Sequence, residues 1–157
     1  PVLNEIDMPL GVVTSINGSA RYQGHYTGLA SHAGTTPMNR RRDAATATAA
    51  LTLYAESRAL ADGGSVATIG QFTVPNGSVN VVPGRCTFSL DMRAPNDPQR
   101  DALAADVLAR LAEIAERRGL AYSVEETMRA AAAPSDPPSN RWACRCSACP
   151  AAPGTTP

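Results

Sequence analysis

Apolar and polar positions alternate with a period of two over Leu10 to Ile16 and again over Ala20 to Thr27, which reads as two strands. In the first, Leu10, Val12, Thr14 and Ile16 share a face. In the second, Tyr22 and Tyr26 mix with polar residues, as in a sheet with one wet side. Asn17-Gly18 lies between them, and both residues accept the positive φ of a type I′ turn, so a hairpin is expected. The period then changes. Thr36-Pro37 reads as an N-cap followed by proline at the first helical position, and Ala44, Ala47, Leu51 and Tyr54/Ala55 recur at helical spacing. The pattern predicts a helix over about 37–61, ended by Asp62-Gly63-Gly64.

Val66 to Val74 reads as a strand, Asn76-Gly77 as a turn, and Val81 or Arg85 to Arg93 as a further strand. Asn96-Asp97-Pro98 caps a second helix to about Arg118, with Leu103, Val107, Leu111 and Ile114 on one side. Gly119 stops it, and Leu120 to Glu126 is the last strand. With the first hairpin strand set aside, the order is β-α-β-β-α-β. That order suits an α+β, ferredoxin-like sandwich: an antiparallel four-stranded sheet with two helices on one face, plus an N-terminal hairpin strand.

Composition adds limits. At 157 residues the chain fits one ordinary domain, expected over 10–128, between a short junction over 1–9 and a tail over 129–157. Fourteen acidic and fourteen basic residues give no net charge, which argues against nucleic acid or an anionic membrane as partner. No apolar run approaches the roughly 20 residues of a bilayer span, and no secretory signal is visible, so a cytoplasmic location is expected. The start at Pro1 reads as a piece of something longer. The run Arg40-Arg41-Arg42 falls in the first turn of the expected helix, where cations oppose the dipole, and a solvated face is its ordinary reading. Cys144, Cys146 and Cys149 crowd the tail without a local fourth ligand, so a disordered or out-of-frame tail is preferred to a zinc site; Cys86 reads as a small buried apolar residue.

Candidate chemistry centres on Ser31-His32-Ala33-Gly34-Thr35-Thr36-Pro37-Met38, which puts His32 on a glycine-containing loop between a strand and a helix. Such a histidine can face a ligand from a rigid mount, although spacing alone fits a surface or turn residue better. Gly34 would allow close backbone approach there or simply serve the turn. His25 reads as a strand side chain facing water. Neither histidine has metal-ligand spacing, and no Ser-His-Asp or Cys-His arrangement can be assembled.

The His32 segment resembles the His-Ala-Gly-Thr-Thr-Pro-Met signature of the hydantoinase/carbamoylase branch of the M20 metallopeptidase superfamily. These are zinc-dependent amidohydrolases of N-carbamoyl-amino acids, ureidopropionate and allantoate. Two further segments join it in order, Gly77-Ser78-Val79-Asn80-Val81-Val82-Pro83-Gly84 and Ser89-Leu90-Asp91-Met92-Arg93-Ala94-Pro95. All three belong to the lid, or dimerisation, domain of that family. The resemblance implies a homodimer formed through the lid and a small ureido-acid substrate. It implies a metal, zinc or else Mn, Co or Ni, held by a separate catalytic domain to which residues 1–9 would be the junction. It also implies that His32 stabilises the oxyanion in the partner's active site, and that Asn80 and Arg93 hold the substrate carboxylate. No metal is expected in this chain, and the chain alone is expected to be inactive. Ser19 departs from the pattern, since many relatives carry glutamine there. The alternatives are the lid of an M20 aminoacylase or peptidase, and a free-standing dimerisation module without catalysis.

Overall fold

The structure, a computed structural model, describes residues 2–11 and 13–135. A short helix α1 (Val2–Glu5) precedes β1 (Ser15–Ile16), β2 (Gly18–Thr27) and β3 (Ser31–His32). Helix α2 (Ala44–Ala61) leads to β4 (Val66–Thr68), β5 (Phe72–Thr73), β6 (Val81–Val82) and β7 (Arg85–Ala94). Helix α3 (Asp97–Arg118), β8 (Ala121–Ala130) and β9 (Ala133–Pro134) complete the described chain.

The central sheet is antiparallel in the order β4-β7-β2-β8, with β5 sharing the β4 edge of β7. That is the strand order of a ferredoxin-like sandwich, as the pattern predicts. Alternation along the strands sorts the two faces. Tyr22 and Tyr26 on β2 and Cys86, Phe88, Leu90 and Met92 on β7 point into the core, where they meet Leu51 of α2 and Leu103, Val107, Leu111 and Ile114 of α3. The Tyr26 and Phe88 rings lie 5.6 Å apart, and the buried Tyr26 hydroxyl donates to the Leu111 carbonyl at 3.0 Å. Burial raises that phenol's pKa, which keeps it a neutral donor. The opposite face of the sheet, which includes Arg21, Gln23, Asp91 and Arg93, is left open.

The second helix follows its sequence signals closely: the Asn96 side chain accepts from Gln99 N, and Gly119 closes the helix at φ 63°. Four expectations change. The hairpin over Asn17-Gly18 does not form, because β1 pairs with β9 (Ser15 with Pro134, Ile16 with Ala133) and the chain runs on into β2. Positive φ occurs at Asn76 and Gly119 but not at Asn17 or Gly18. Gly18 answers a different need: a Cβ there would stand 2.8 Å from Ala132 N and 2.9 Å from the Asp97 carboxylate.

The first long helix begins at Ala44, not at 37, with Asp43 as its N-cap accepting from Thr46 N. Residues before it are taken by other partners. Met38–Arg40 is a 3-10 turn, Leu29 N donates to Arg42 O, and Ala44 N donates to Pro83 O, so the three arginines precede the helix. The strand over 66–74 divides into β4 and β5. The last strand reaches Ala130 through a bulge opposite Arg21/Tyr22, so it runs past the expected boundary at 128. Cys144, Cys146 and Cys149 lie outside the described residues.

Candidate functional site

His32 is fixed by a two-residue ladder in which Ser31 faces Val82 and His32 faces Val81. The next amide, Ala33 N, donates to the main-chain oxygen of Asn80 at 2.8 Å, so the ladder joins the first two motif segments at their candidate residues. Past His32 the chain turns, with Thr36 N on the His32 carbonyl at 3.1 Å. Gly34 N donates to His32 Nδ1 at 3.1 Å. In the neutral ring Nδ1 is therefore the acceptor and the proton is on Nε2, which can be donated outward. A Cβ at Gly34 would lie 3.2 Å from Cε1 of the imidazole, so close approach to the ring accounts for this glycine.

Arg41 holds the loop from below: its guanidinium donates to the carbonyls of Ala33 and Thr36, the latter at 3.0 Å. The sequence placed Arg41 on an exposed helical turn and missed this role. Asn80 is exposed, with its Oδ1 accepting from the Ser78 hydroxyl at 2.9 Å. That contact leaves the Asn80 amide NH₂ without a partner among the described residues. His32 and Asn80 are thus both exposed and joined through the backbone of adjoining segments.

Arg93 lies elsewhere. It is on the open face near the far end of β7, beside Ser19 of β2 and Val66 of β4. From Arg85, at the His32 end of that strand, to Arg93 is about 27 Å at the usual strand rise. Arg93 donates from Nε and Nη2 to the two oxygens of Asp91, at 3.0 and 2.8 Å. Asp91 also accepts from Arg21 Nε at 3.2 Å. The Arg93 hydrogen bonds are the main cause holding the Asp91 carboxyl below its ordinary pKa, so it is ionised at neutral pH. Asp91 was legible in its motif, since residues i and i+2 of a strand share a face, but its partnership with Arg21 needed the register. Ser19, the departure from the family pattern, is buried directly opposite Arg93. His25 is half-buried on the same sheet, and burial, followed by the charge of Arg85, lowers its pKa.

Among the described residues no three His, Cys, Asp or Glu side chains come together as a metal site. The donor set a catalytic zinc needs is therefore not found in the described domain. No helix there is long and apolar enough to cross a membrane.

Comparison with known proteins agrees with this architecture. The chain is 39% identical over 129 residues to the N-carbamoyl-L-amino-acid amidohydrolase of Paenarthrobacter aurescens, covering 80% of this chain and 31% of that protein. It is 34% identical over 157 residues to the allantoate deiminase of Arabidopsis thaliana, covering 87% of this chain and 30% of that one. A crystal structure of a hydantoinase/carbamoylase family amidase from Burkholderia ambifaria superposes with a TM-score of 0.88 at 34% identity, covering 92% of this chain and 36% of that one. The chain therefore spans about a third of the length of these relatives. Residues 14–119 match the peptidase dimerisation domain model, and the chain belongs to that M20 dimerisation-domain family.

Proposed function

We propose that this chain is the substrate-capturing and dimerising lid of a metal-dependent hydrolase that cleaves non-peptide C–N bonds of ureido acids, N-carbamoyl-amino acids or allantoate, in the cytoplasm. The observation that carries the reading is the His32 loop. Its backbone contacts fix an exposed imidazole whose Nδ1 is taken by Gly34 N, leaving Nε2–H to donate to the oxygen of a urea as negative charge develops there. Zinc or a similar divalent ion belongs, on this reading, to the remainder of the enzyme and supplies the attacking water. What this chain's residues do is orient the substrate, neutralise its carboxylate and donate a hydrogen bond.

The separation of the two candidate groups bears on how they are used. A small ureido acid cannot span the length of β7, about 27 Å from Arg85 to Arg93, and the His32 loop lies beyond its Arg85 end. His32 and Asn80 of one lid can serve the same substrate as Arg93 only if Arg93 comes from another subunit. The outer edge of β8 supports such a dimer: it is ten residues long, largely exposed and at the end of the sheet, with its ladder open to a second copy.

The test uses an enzyme carrying this lid together with its catalytic domain. His32→Ala should lower kcat by ~10²–10³-fold, as removal of one oxyanion donor does. Arg93→Ala should mainly raise KM, since a carboxylate grip acts on ground and transition states alike. Each variant dimer would be impaired at both sites, but mixing His32→Ala with Arg93→Ala subunits should regenerate one intact site per mixed dimer. Mixed dimers that form without recovering activity would overturn the shared-site reading.

A further inference from the structure

Next to Arg93 on the open face stands a second arginine that the family motifs do not include. Arg21 and Asp91 are directly paired across β2 and β7, and Arg93 is two residues further along β7 on the same side. Both guanidiniums bind the one carboxylate, but through different edges. Arg93 spends its Nε/Nη2 edge on Asp91, and only Nη1 is left without a partner among the described residues. Arg21 touches Asp91 through Nε alone, so its Nη1/Nη2 edge is open. That edge is a planar two-pronged donor of the kind that takes a carboxylate bidentately. The side chains of both arginines are 44% exposed, against 31% for Asp91, so the donors face outward over their shared anion.

These residues line one side of an open groove of about 470 Å³ that also includes Gln23 and Ser89. Gln23 Nε2 donates to Gln71 Oε1 at 3.2 Å, which leaves the Gln23 carbonyl as an acceptor in the groove. A ureido group carries N–H donors that such an acceptor can take. The groove thus has a cationic end and an amide end, side by side on a rigid sheet.

We propose that Arg21 is a substrate-binding residue, its Nη1/Nη2 edge taking the carboxylate of a ureido acid alongside Arg93, with Asp91 as the positioning residue that holds the two guanidiniums together. Charge sets the preference. Two guanidiniums and one ionised carboxylate leave a net charge of one, which matches a monocarboxylate and not a neutral amide or a dicarboxylate. This inference deepens the lid reading and rests on it for the class of ligand.

The binding can be read on the 157-residue chain itself, by following arginine Nε–H resonances in NMR titrations with N-carbamoylglycine and its neutral amide. The acid should shift Arg21 and Arg93 saturably at ~10 mM or below, and the amide should not. Arg21→Gln should weaken the acid about fivefold, the scale of one exposed charged contact. Asp91→Asn raises the local charge, so it should move the preference toward N-carbamoylaspartate by a similar factor, a change that loss of structural support alone would not produce. Unaltered affinity in Arg21→Gln, equal shifts with the amide, or no saturable shift would overturn the proposal. The two readings fail separately. An enzyme carrying this lid that turns over no ureido acid sinks the catalytic assignment and leaves an anion site, whereas normal turnover without Arg21 dependence sinks only this one.

Discussion

The two ends of this domain are held by different physics. At the His32 end the chain leaves the main sheet, and position is set by backbone contacts between loops: the two-residue β3–β6 ladder, the pairing of Leu29 with Arg42, and the Arg41 guanidinium on two carbonyls. At the Arg93 end the backbone is central strand, held by a ten-residue ladder to β2 on one side and a three-residue ladder to β4 on the other, and only the side chains remain to be arranged. The first region must be exact in its main chain, and a single added methyl can break it. The second has a backbone that tolerates substitution and a geometry that depends on charge. Variants at the two ends should therefore fail in different ways.

The largest effect belongs to the loop end. A Cβ on Gly28 would lie 1.9 Å from the Arg42 carbonyl oxygen and 2.7 Å from the Leu120 side chain. Gly28 N is already held at 2.8 Å on Gly84 O, so the segment cannot simply move aside. Gly28→Ala should destabilise the domain by about 3 kcal/mol, the upper range for overpacking. Urea denaturation should show a lower midpoint at an unchanged slope. An alanine variant as stable as the parent would mean that the loop contacts do not define this end.

This contrast also explains what could be read from sequence. The ferredoxin-like order was legible because long periodic elements carry it: Leu103, Val107, Leu111 and Ile114 announce α3, and Asn96 and Gly119 mark its ends. The opening hairpin was misread because Asn17-Gly18 carries a strong local turn signal, while the partner that wins, Ala133-Pro134, lies over a hundred residues away. The helix start was misread for a similar reason. Thr36-Pro37 is a good local cap, but Ala44 N is claimed by Pro83 O and Arg42 O by Leu29 N. Motif resemblance marked His32, Asn80 and Arg93 but could not say that the segments of the first two are joined by backbone contacts while Arg93 stands near the far end of β7. Arg41 and Arg21 carry no local signal at all, because their importance comes from which carbonyl or carboxylate the fold brings beside them.

A smaller effect should follow from removing the Arg41 side chain. Arg41→Ala deletes charge-assisted hydrogen bonds to Ala33 O and Thr36 O, both on the loop that carries His32. Contacts of this kind contribute about 1–2 kcal/mol, and here they act on one loop, not on the core. Amide hydrogen exchange should accelerate at residues 33–36 while protection in α3 stays unchanged. Equal acceleration in both regions would show that Arg41 supports the whole domain and not the loop.

The smallest effect should come from the Arg93 end, and it should depend on pH. Asp91 and Arg93 are partly exposed, so their ion pair contributes less than about 1 kcal/mol to folding at neutral pH. The Asp91 pKa is lowered from an ordinary value of 3.8, chiefly by the hydrogen bonds from Arg93. A carboxylate with a lowered folded pKa stabilises the fold fully above its unfolded value and loses that contribution as pH falls through the folded one. Arg93→Gln should therefore be slightly less stable than the parent above about pH 5, and the two should converge in acid below the folded pKa. Arg21→Gln should behave likewise with a smaller difference, since it supplies one hydrogen bond to Asp91 where Arg93 supplies two. A stability gap that persists unchanged into acid would mean that Arg93 acts on the fold through packing of its stem and not through Asp91. The difference between the two ends would then be one of degree and not of kind.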